Sequence, residues 1–260
     1  MIKLITNKHN QSGEDMYDIE RKEKILEILR EKKSCSVAYL AKTLCFSEAT
    51  IRRDLNALDA QMLIRKTFGG AVYIEKYGGE VPIHIRRDEN AAVKDALCRA
   101  ASKLICDNMT VFLAASTTVE HIVPYLSAYK GLTVVTNNPD IPGKLADTDF
   151  AVYCTGGRYL HHSNSYVGDF AKSIINRINT DIAFFSARGI SMDGKLTQSS
   201  TEDDVNSVIL QNTAKSCLIA DSSKFGKVYP FIFGNLESTD YVVTDKLFPN
   251  IAEHKGIIIG

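Results

Sequence analysis

The hydrophobic rhythm of the chain changes once, near residue 90. Before that point apolar residues recur at helical spacing in a charged background, and beyond it short apolar runs alternate with helical ones. Ile19, Ile25, Leu26 and Leu29 predict an amphipathic helix over 18–31, and Val37, Leu40, Ala41 and Leu44 predict a second over 36–44. A third starts at Ser47, whose hydroxyl suits an N-cap, with Glu48 set against the positive helix end. Ile51, Leu55 and Leu58 define its buried face, so Ala49, Arg52, Arg53 and Asn56 point away from the core. Only Cys45 and Phe46 separate the second and third helices, a turn of helix-turn-helix length. The runs 63–67 and 71–73 then flank Phe68-Gly69-Gly70, a hairpin whose glycines are expected at positive φ.

The second rhythm predicts helices over 91–105, 118–126, 141–146, 170–178 and 201–213. Interleaved with them are strands over 110–114, 132–136, 150–155, 182–186, 216–220 and 241–244, before an Ile257-Ile258-Ile259 tail. Such alternation predicts an α/β fold with a mostly parallel sheet, behind an N-terminal winged helix-turn-helix domain. The expected organisation is a disordered polar lead-in over 1–17, the winged domain over 18–73, a connector over 74–90 and the α/β domain over 91–260. Gly78-Gly79, Pro82 and the charged Arg86-Arg87-Asp88-Glu89 mark the connector.

Two sets of polar residues carry candidate chemistry. Guanidinium forks match phosphate oxygens and the O6/N7 edge of guanine, so an exposed Arg-Arg-Asp-x-Asn helix suits double-stranded DNA. Arg52, Arg53 and Asn56 are assigned to base edges, and Ser47, Thr50, Arg65, Lys66 and Thr67 to the phosphate-facing surface and wing. A three-helix packing module with merely solvated arginines is the plainer alternative. In parallel sheets ligands bind at the carboxyl ends of the strands. There the chain places Ser116-Thr117-Thr118, Thr136-Asn137-Asn138, Gly156-Gly157, Arg188-Gly189 and, after Asp221, Lys224. Hydroxyls, amides and two cations beside a helix start suit a phosphorylated, hydroxyl-rich small molecule. Each residue alone also has a structural reading as a cap, a turn residue or a solvated lysine.

Ser47-Glu48-x-Thr50-Ile51-Arg52-Arg53-Asp54-Leu55, with Arg65-x-Thr67-x-Gly69-Gly70-Ala71-Val72, resembles the winged helix-turn-helix of DeoR-type transcriptional regulators. The likeness runs from about Tyr17 to the C-terminus. It implies a sugar-phosphate-sensing domain similar in fold to ribose-5-phosphate isomerase, carried here by Thr117-Thr118, Thr136-Asn137, Gly156-Gly157, Asp181-x-x-Phe184 to Gly189, and Asp221-x-x-Lys224. It further implies repression of carbohydrate genes and a homo-oligomer matched to a two-fold operator. One departure stands out. Where the family has Asp-x-Gly-Thr-Thr, this chain reads Ala114-Ala115-Ser116-Thr117-Thr118, without the carboxylate that would accept sugar hydroxyls.

Composition adds bounds. With 31 Lys and Arg against 31 Asp and Glu, the formal charge is zero, so DNA binding must rest on a local patch, which Glu48, Asp54 and Asp59 dilute. No apolar run approaches the roughly 20 residues of a membrane span, and the N-terminus lacks a signal-peptide core. Six cysteines are scattered without metal-ligand spacing, and most are expected to be buried thiols, which predicts a reducing cytoplasm, no disulfide, no metal and no cofactor. An isomerase-like enzyme using Lys224 or Asp181 is disfavoured because no acidic residues are spaced to pair as acid and base. A regulator whose second domain only oligomerises is the remaining rival.

Overall fold

A computed structural model of the chain describes residues 9–60, 64–73, 83–161, 163–200, 205–251 and 254–260. The chain divides into two compact units, Met1–Val81 and Pro82–Gly260.

The first unit contains α1 (His9–Lys32), β1 (Ser34–Ser36), α2 (Val37–Leu44), α3 (Glu48–Ala60), β2 (Ile64–Thr67) and β3 (Gly70–Tyr73). Ile25, Leu29, Val37, Leu40, Ile51, Leu55, Leu58 and Ile64 converge in one core, as the helical spacing predicts. Helix α1 begins at His9 rather than at residue 18: extension of a formed helix costs little, so a polar stretch continues the packed one. Residues 1–8 of the expected lead-in lie outside the described residues. β3 is the central strand of a three-stranded sheet, with β1 and β2 antiparallel on either side.

The hairpin turn differs from expectation. Neither Gly69 nor Gly70 has positive φ. Gly70 is required for a different reason: a Cβ there would lie 2.1 Å from the Cys35 carbonyl oxygen, where β1 pairs with β3. The Gly69 carbonyl in turn accepts a 2.8 Å hydrogen bond from the Val37 amide, so the wing supplies a partner for a free N–H of α2.

The second unit is built on seven parallel strands: β4 (Thr110–Leu113), β5 (Thr133–Thr136), β6 (Ala151–Cys154), β9 (Ile182–Phe185), β12 (Ser216–Ile219), β14 (Tyr241–Thr244) and β15 (Ile257–Ile259). Their order is β15-β14-β12-β9-β4-β5-β6. Successive side chains feed two different cores, because strand side chains alternate between faces. Phe112, Val135, Ala183, Phe185, Leu218 and Val242 enter one. Val111, Leu113, Val134, Phe184, Ile219 and Val243 enter the other. The first is covered by α7 (Asp169–Ile175) and α8 (Asn206–Gln211), through Ala171, Ile175 and Ile209. The second is covered by α5 (Ala91–Ser102) and a 3-10 helix over Val119–Ala128.

Several elements escaped the hydrophobic pattern. The segment 118–126 is 3-10 rather than α-helical, and Pro124 inside it withholds a backbone donor. The end of the connector forms α4 (Ile83–Asp88), and residues 74–82 lie outside the described residues, as do 201–204 at the start of the helix expected over 201–213. The helix α6 (Asp140–Lys144) is short. A hairpin of β7 (Arg158–Leu160) and β8 (Ser165–Val167) and a small antiparallel sheet of β10 (Gly189–Ile190), β11 (Lys195–Gln198) and β13 (Phe231–Asn235) were not foreseen. Polar residues such as Arg158, Ser165, Lys195 and Thr197 break up the apolar runs of these strands. All six cysteines are free, and only Cys98 and Cys217 are fully buried; Cys45, Cys106 and Cys154 are exposed, against the expectation that most would be buried.

Candidate nucleic-acid interface and effector cleft

Helix α3 is held by its neighbours from both ends. The Thr50 amide donates to Ser47 Oγ at 3.1 Å and the two hydroxyls lie 2.9 Å apart, so Ser47 caps the helix as expected. Before it, Cys45 adopts a left-handed conformation (φ 58°) that ends α2, and the Phe46 amide returns to the Ala41 carbonyl. Arg52, Arg53 and Asn56 are exposed, and Arg52 spends part of its charge on Glu48 one turn back, 3.1 Å away. On the wing, the Lys66 amide donates to Asp59 Oδ1 at 2.9 Å and its ammonium reaches Asn56 Oδ1. Lys66 and Asn56 therefore share one surface. Arg65 and Thr67 are half-buried, while Phe68 at the wing tip stands fully in solvent.

Asp54 does not belong to the exposed patch. It is 1% exposed, and the Arg21 guanidinium of α1 grips both its oxygens, with Nη2 3.0 Å from Oδ1. The same guanidinium lies 4.7 Å from the centroid of the Phe46 ring. Position 54 sits three residues after Ile51 and four before Leu58, on the edge of the buried face, so the carboxylate needs a partner there. Its removal from the surface leaves that surface more basic than the sequence suggested.

In the second unit the loops at the strand ends hold one another. Ser116 Oγ accepts from the Thr118 amide at 3.1 Å and opens the 3-10 helix. Asn137 Oδ1 accepts from the Ala115 amide at 2.7 Å, and its Nδ2 donates to the Tyr166 carbonyl. Thr136 Oγ1 donates to the Leu113 carbonyl at 2.7 Å and accepts from the Asn138 amide. The Asn138 side-chain Nδ2 donates to Glu120 Oε1 at 3.0 Å. Thr136, Asn137 and Asn138 thus brace the loops, and Thr117 and Thr118 are buried beside them.

A charged cluster lies beneath Thr117. Lys94 of α5, 3% exposed, reaches Thr117 Oγ1 at 3.4 Å and the Arg86 carbonyl of α4. Asp221, 2% exposed, accepts from the Ser223 amide at 2.9 Å through Oδ1, while its buried Oδ2 has no hydrogen-bond partner among the described residues. Burial pushes the Lys224 ammonium down to about 8 against the pull of Asp221, with Lys227, Lys94 and Arg188 adding repulsion. The Asp221 carboxyl is held below its ordinary value, since Ser223, Lys224 and Lys94 together outweigh its burial. Lys224 and Lys94 thus both act on the one Asp221 carboxylate, an arrangement suited to an anion.

Not every expected residue joins this cluster. Gly156 and Gly157 both have positive φ, but the close approach at Gly157 is to the chain itself: a Cβ would meet the Val167 carbonyl at 2.6 Å. Gly157 instead lines an open cleft of about 710 Å³ with Thr155, Arg158, Phe170, Ser173, Ile174 and Arg177, whose walls include neither Thr117 nor Lys224. Gly189 pairs with Thr197 in β10–β11, and the adjacent Arg188 amide donates to the Thr197 carbonyl. Asp181 sits at the opposite strand ends, accepting from the Thr110 amide at 2.7 Å. Lys94, Arg87 and Glu120 were missed, although a lysine three and four residues before buried Leu97 and Cys98 was a readable signal. Among the described residues, no three His, Cys, Asp or Glu side chains converge on a metal-binding position, and no helix is long and apolar enough to cross a membrane.

The sequence matches the DeoR-like helix-turn-helix domain over residues 21–77 and the DeoR C terminal sensor domain over 89–246. The chain belongs to the DeoR family. As a member of that family it is a DNA-binding transcriptional regulator. The HTH-type transcriptional regulator GlpR of Haloferax volcanii is 31% identical over 88% of this chain and 91% of its own length. The transcriptional repressor AccR of Agrobacterium fabrum is 30% identical over 87% and 89%. The glycerol-3-phosphate regulon repressor of Escherichia coli is 28% identical over 88% and 92%. Among solved structures, ribose 5-phosphate isomerase A of Methanocaldococcus jannaschii aligns over 53% of this chain and 55% of its own, at 14% identity and a TM-score of 0.40.

Proposed function

We propose that this DeoR-family chain is a cytoplasmic repressor of carbohydrate genes. It reads duplex operator DNA with α3 and is modulated by a phosphorylated sugar or a related anionic metabolite. Residues 18–73 are the DNA-binding domain, and residues 91–260 sense the effector and form the homo-oligomer. The exposed Arg52-Arg53-x-x-Asn56 face beside Lys66, on a helix capped by Ser47, carries the DNA reading. Arg52, Arg53 and Asn56 enter the major groove; Ser47, Thr50, Arg65, Lys66 and Thr67 hold phosphates. A two-fold operator is matched by an oligomer, since one winged helix covers a short site.

The effector reading rests on the cations around Asp221 beneath Thr117, and on relatives that include a glycerol-3-phosphate regulon repressor. Thr117, Thr118, Arg188 and Lys224 are the direct ligands. Ser116, Thr136, Asn137, Asn138, Gly156, Gly157 and Gly189 shape the loops. One observation favours the rival in which this domain only oligomerises: the side chains of Ser116, Thr136, Asn137 and Asn138 are already engaged with their own loops. Selection of bound DNA from a random pool, repeated with and without glycerol 3-phosphate and fructose 1-phosphate, separates the readings. A single enriched two-fold motif whose recovery falls with one phosphate supports the proposal. Enrichment indifferent to every phosphorylated sugar favours the scaffold.

A further inference from the structure

Lys94 is anomalous in α5. Leu97, Cys98 and Ala101 on the same face belong to the core, and the lysine is as buried as they are. An ammonium so placed is costly unless partners meet its three N–H donors. One donor goes to the main-chain carbonyl of Arg86, and a second reaches the Thr117 hydroxyl at 3.4 Å. Burial lowers the Lys94 pKa, while Asp221 and Glu89 act against that. An apolar side chain of similar length would fill this position without those costs, so packing alone does not account for a lysine here.

The far end of each bond explains the choice. Arg86 lies in the last turn of α4, where backbone carbonyls have no partner within the helix, and a lysine can cap one of them. A six-residue helix is unstable by itself, so α4 depends on such outside contacts. The next residue, Arg87, supplies the other fastening: its guanidinium donates twice to Glu120, at 3.0 Å each, and also meets Asp140. Glu120 is itself bound through its amide to the Ser116 carbonyl. Adjacent residues of α4 are thus both tied to the loop 116–120, directly or through Lys94. Helix α4 is also the first element after Val81, where the DNA-binding unit ends.

We infer that Lys94 couples the effector loop to α4, because an anion held at Thr117 and the Arg86 carbonyl compete for the same ammonium. The inference rests on the effector reading above. A charge-assisted bond to phosphate is stronger than one to a neutral carbonyl, so an anion at the loop wins the ammonium. The final turn of α4 then loses its cap and frays. The change passes along the covalent connection to the DNA-binding unit, and each ligand alters the affinity of the other.

Hydrogen exchange of the full-length protein tests this, with binding of inorganic phosphate, glycerol 3-phosphate and fructose 1-phosphate measured in parallel by calorimetry. In the wild type a bound phosphorylated probe is expected to speed exchange of the 83–88 amides about tenfold. Lys94→Met should show fast exchange in α4 with or without probe, and operator affinity that no longer responds. Thr117→Val should keep α4 protected and lose the response. Probe binding to the wild type without any change over 83–88 overturns the coupling and leaves the effector reading intact. A retained probe response in Lys94→Met also overturns it. If no probe binds the wild type, the effector reading fails and takes the coupling with it. If Lys94→Met lacks a cooperative unfolding transition, Thr117→Val decides alone, and an undiminished response there counts against the inference.

Discussion

The two ends of this molecule treat polar side chains in opposite ways. On α3, Arg52, Arg53 and Asn56 face outward; Arg52 meets a surface glutamate and Asn56 a lysine of the wing. Around Thr117 the polar groups face inward and are bonded to one another, down to the asparagine amides. A surface that reads a large, rigid partner needs charge on display and little rearrangement. A cleft that responds to a small ligand needs bonds that the ligand can exchange. On the function proposed above, the difference separates a reader from a switch.

The contrast between the two ends is most exposed to challenge at Asp54, the charged member of the Arg52-to-Asn56 stretch that faces inward. Asp54→Ala takes the carboxylate gripped at both oxygens away from the buried Arg21 guanidinium, and the N-terminal unit should lose about 3–5 kcal/mol in a denaturant titration. A loss below about 1 kcal/mol would show that Arg21 finds solvent once released. Gly70→Ala comes next: its Cβ would lie 2.1 Å from the Cys35 carbonyl, and β1 must part from β3. The expected cost is about 2–3 kcal/mol by thermal unfolding, with weakened operator binding.

Arg53→Ala should leave the unfolding midpoint unchanged and weaken operator binding by about 1–3 kcal/mol in a gel-shift titration at fixed salt. Full affinity in that variant would move the reading face elsewhere. On the sensing side, the depressed Lys224 pKa sets a pH window. Below about 8 Lys224 is charged and attracts an anion; as pH rises through 8 the proton leaves and phosphate affinity should fall, by at most about tenfold per pH unit. The same shift acts on stability with the opposite sign. Between about 8 and the ordinary lysine range the unfolded chain binds more protons at this site, so its contribution to stability increases with pH. Lys224→Arg should carry the fall in phosphate affinity to higher pH, as calorimetry at several pH values would show. The smallest effect is expected at Glu48→Ala, which removes an exposed i,i+4 pair worth within about 0.5 kcal/mol and frees Arg52 for DNA.

Legibility in the sequence followed the same division. The first three helices were readable because each buries one face against a core, which imposes a period on Ile51, Leu55 and Leu58, and the wing from the glycines between its two runs. The parallel strands were readable as continuous apolar runs buried on both faces, as at Val111, Phe112 and Leu113. The hairpin β7–β8 and the sheet β10-β11-β13 were not, since polar residues such as Arg158, Ser165, Lys195 and Asn235 interrupt their strands, and β11 pairs with the distant β13. For the candidate site, Thr117, Asp221 and Lys224 were found from their places after strands. Lys94 and Glu120 were overlooked because they interrupt apolar faces, where a charge looks like noise until its partner is known. The converse error was Asp54, placed among exposed neighbours although its spacing from Ile51 and Leu58 already set it on the edge of the core.

The hydrogen bond from the Val37 amide to the Gly69 carbonyl has a consequence for how the first unit comes into being. It joins the first residue of α2 to the wing turn beyond α3 and β2, so the start of α2 is completed only when the later hairpin has closed. Closing so long a loop is an entropic cost met before its contacts can reward it. Assembly of the reading head is therefore concerted, and a chain emerging from the ribosome as far as α3 still lacks the carbonyl that finishes α2.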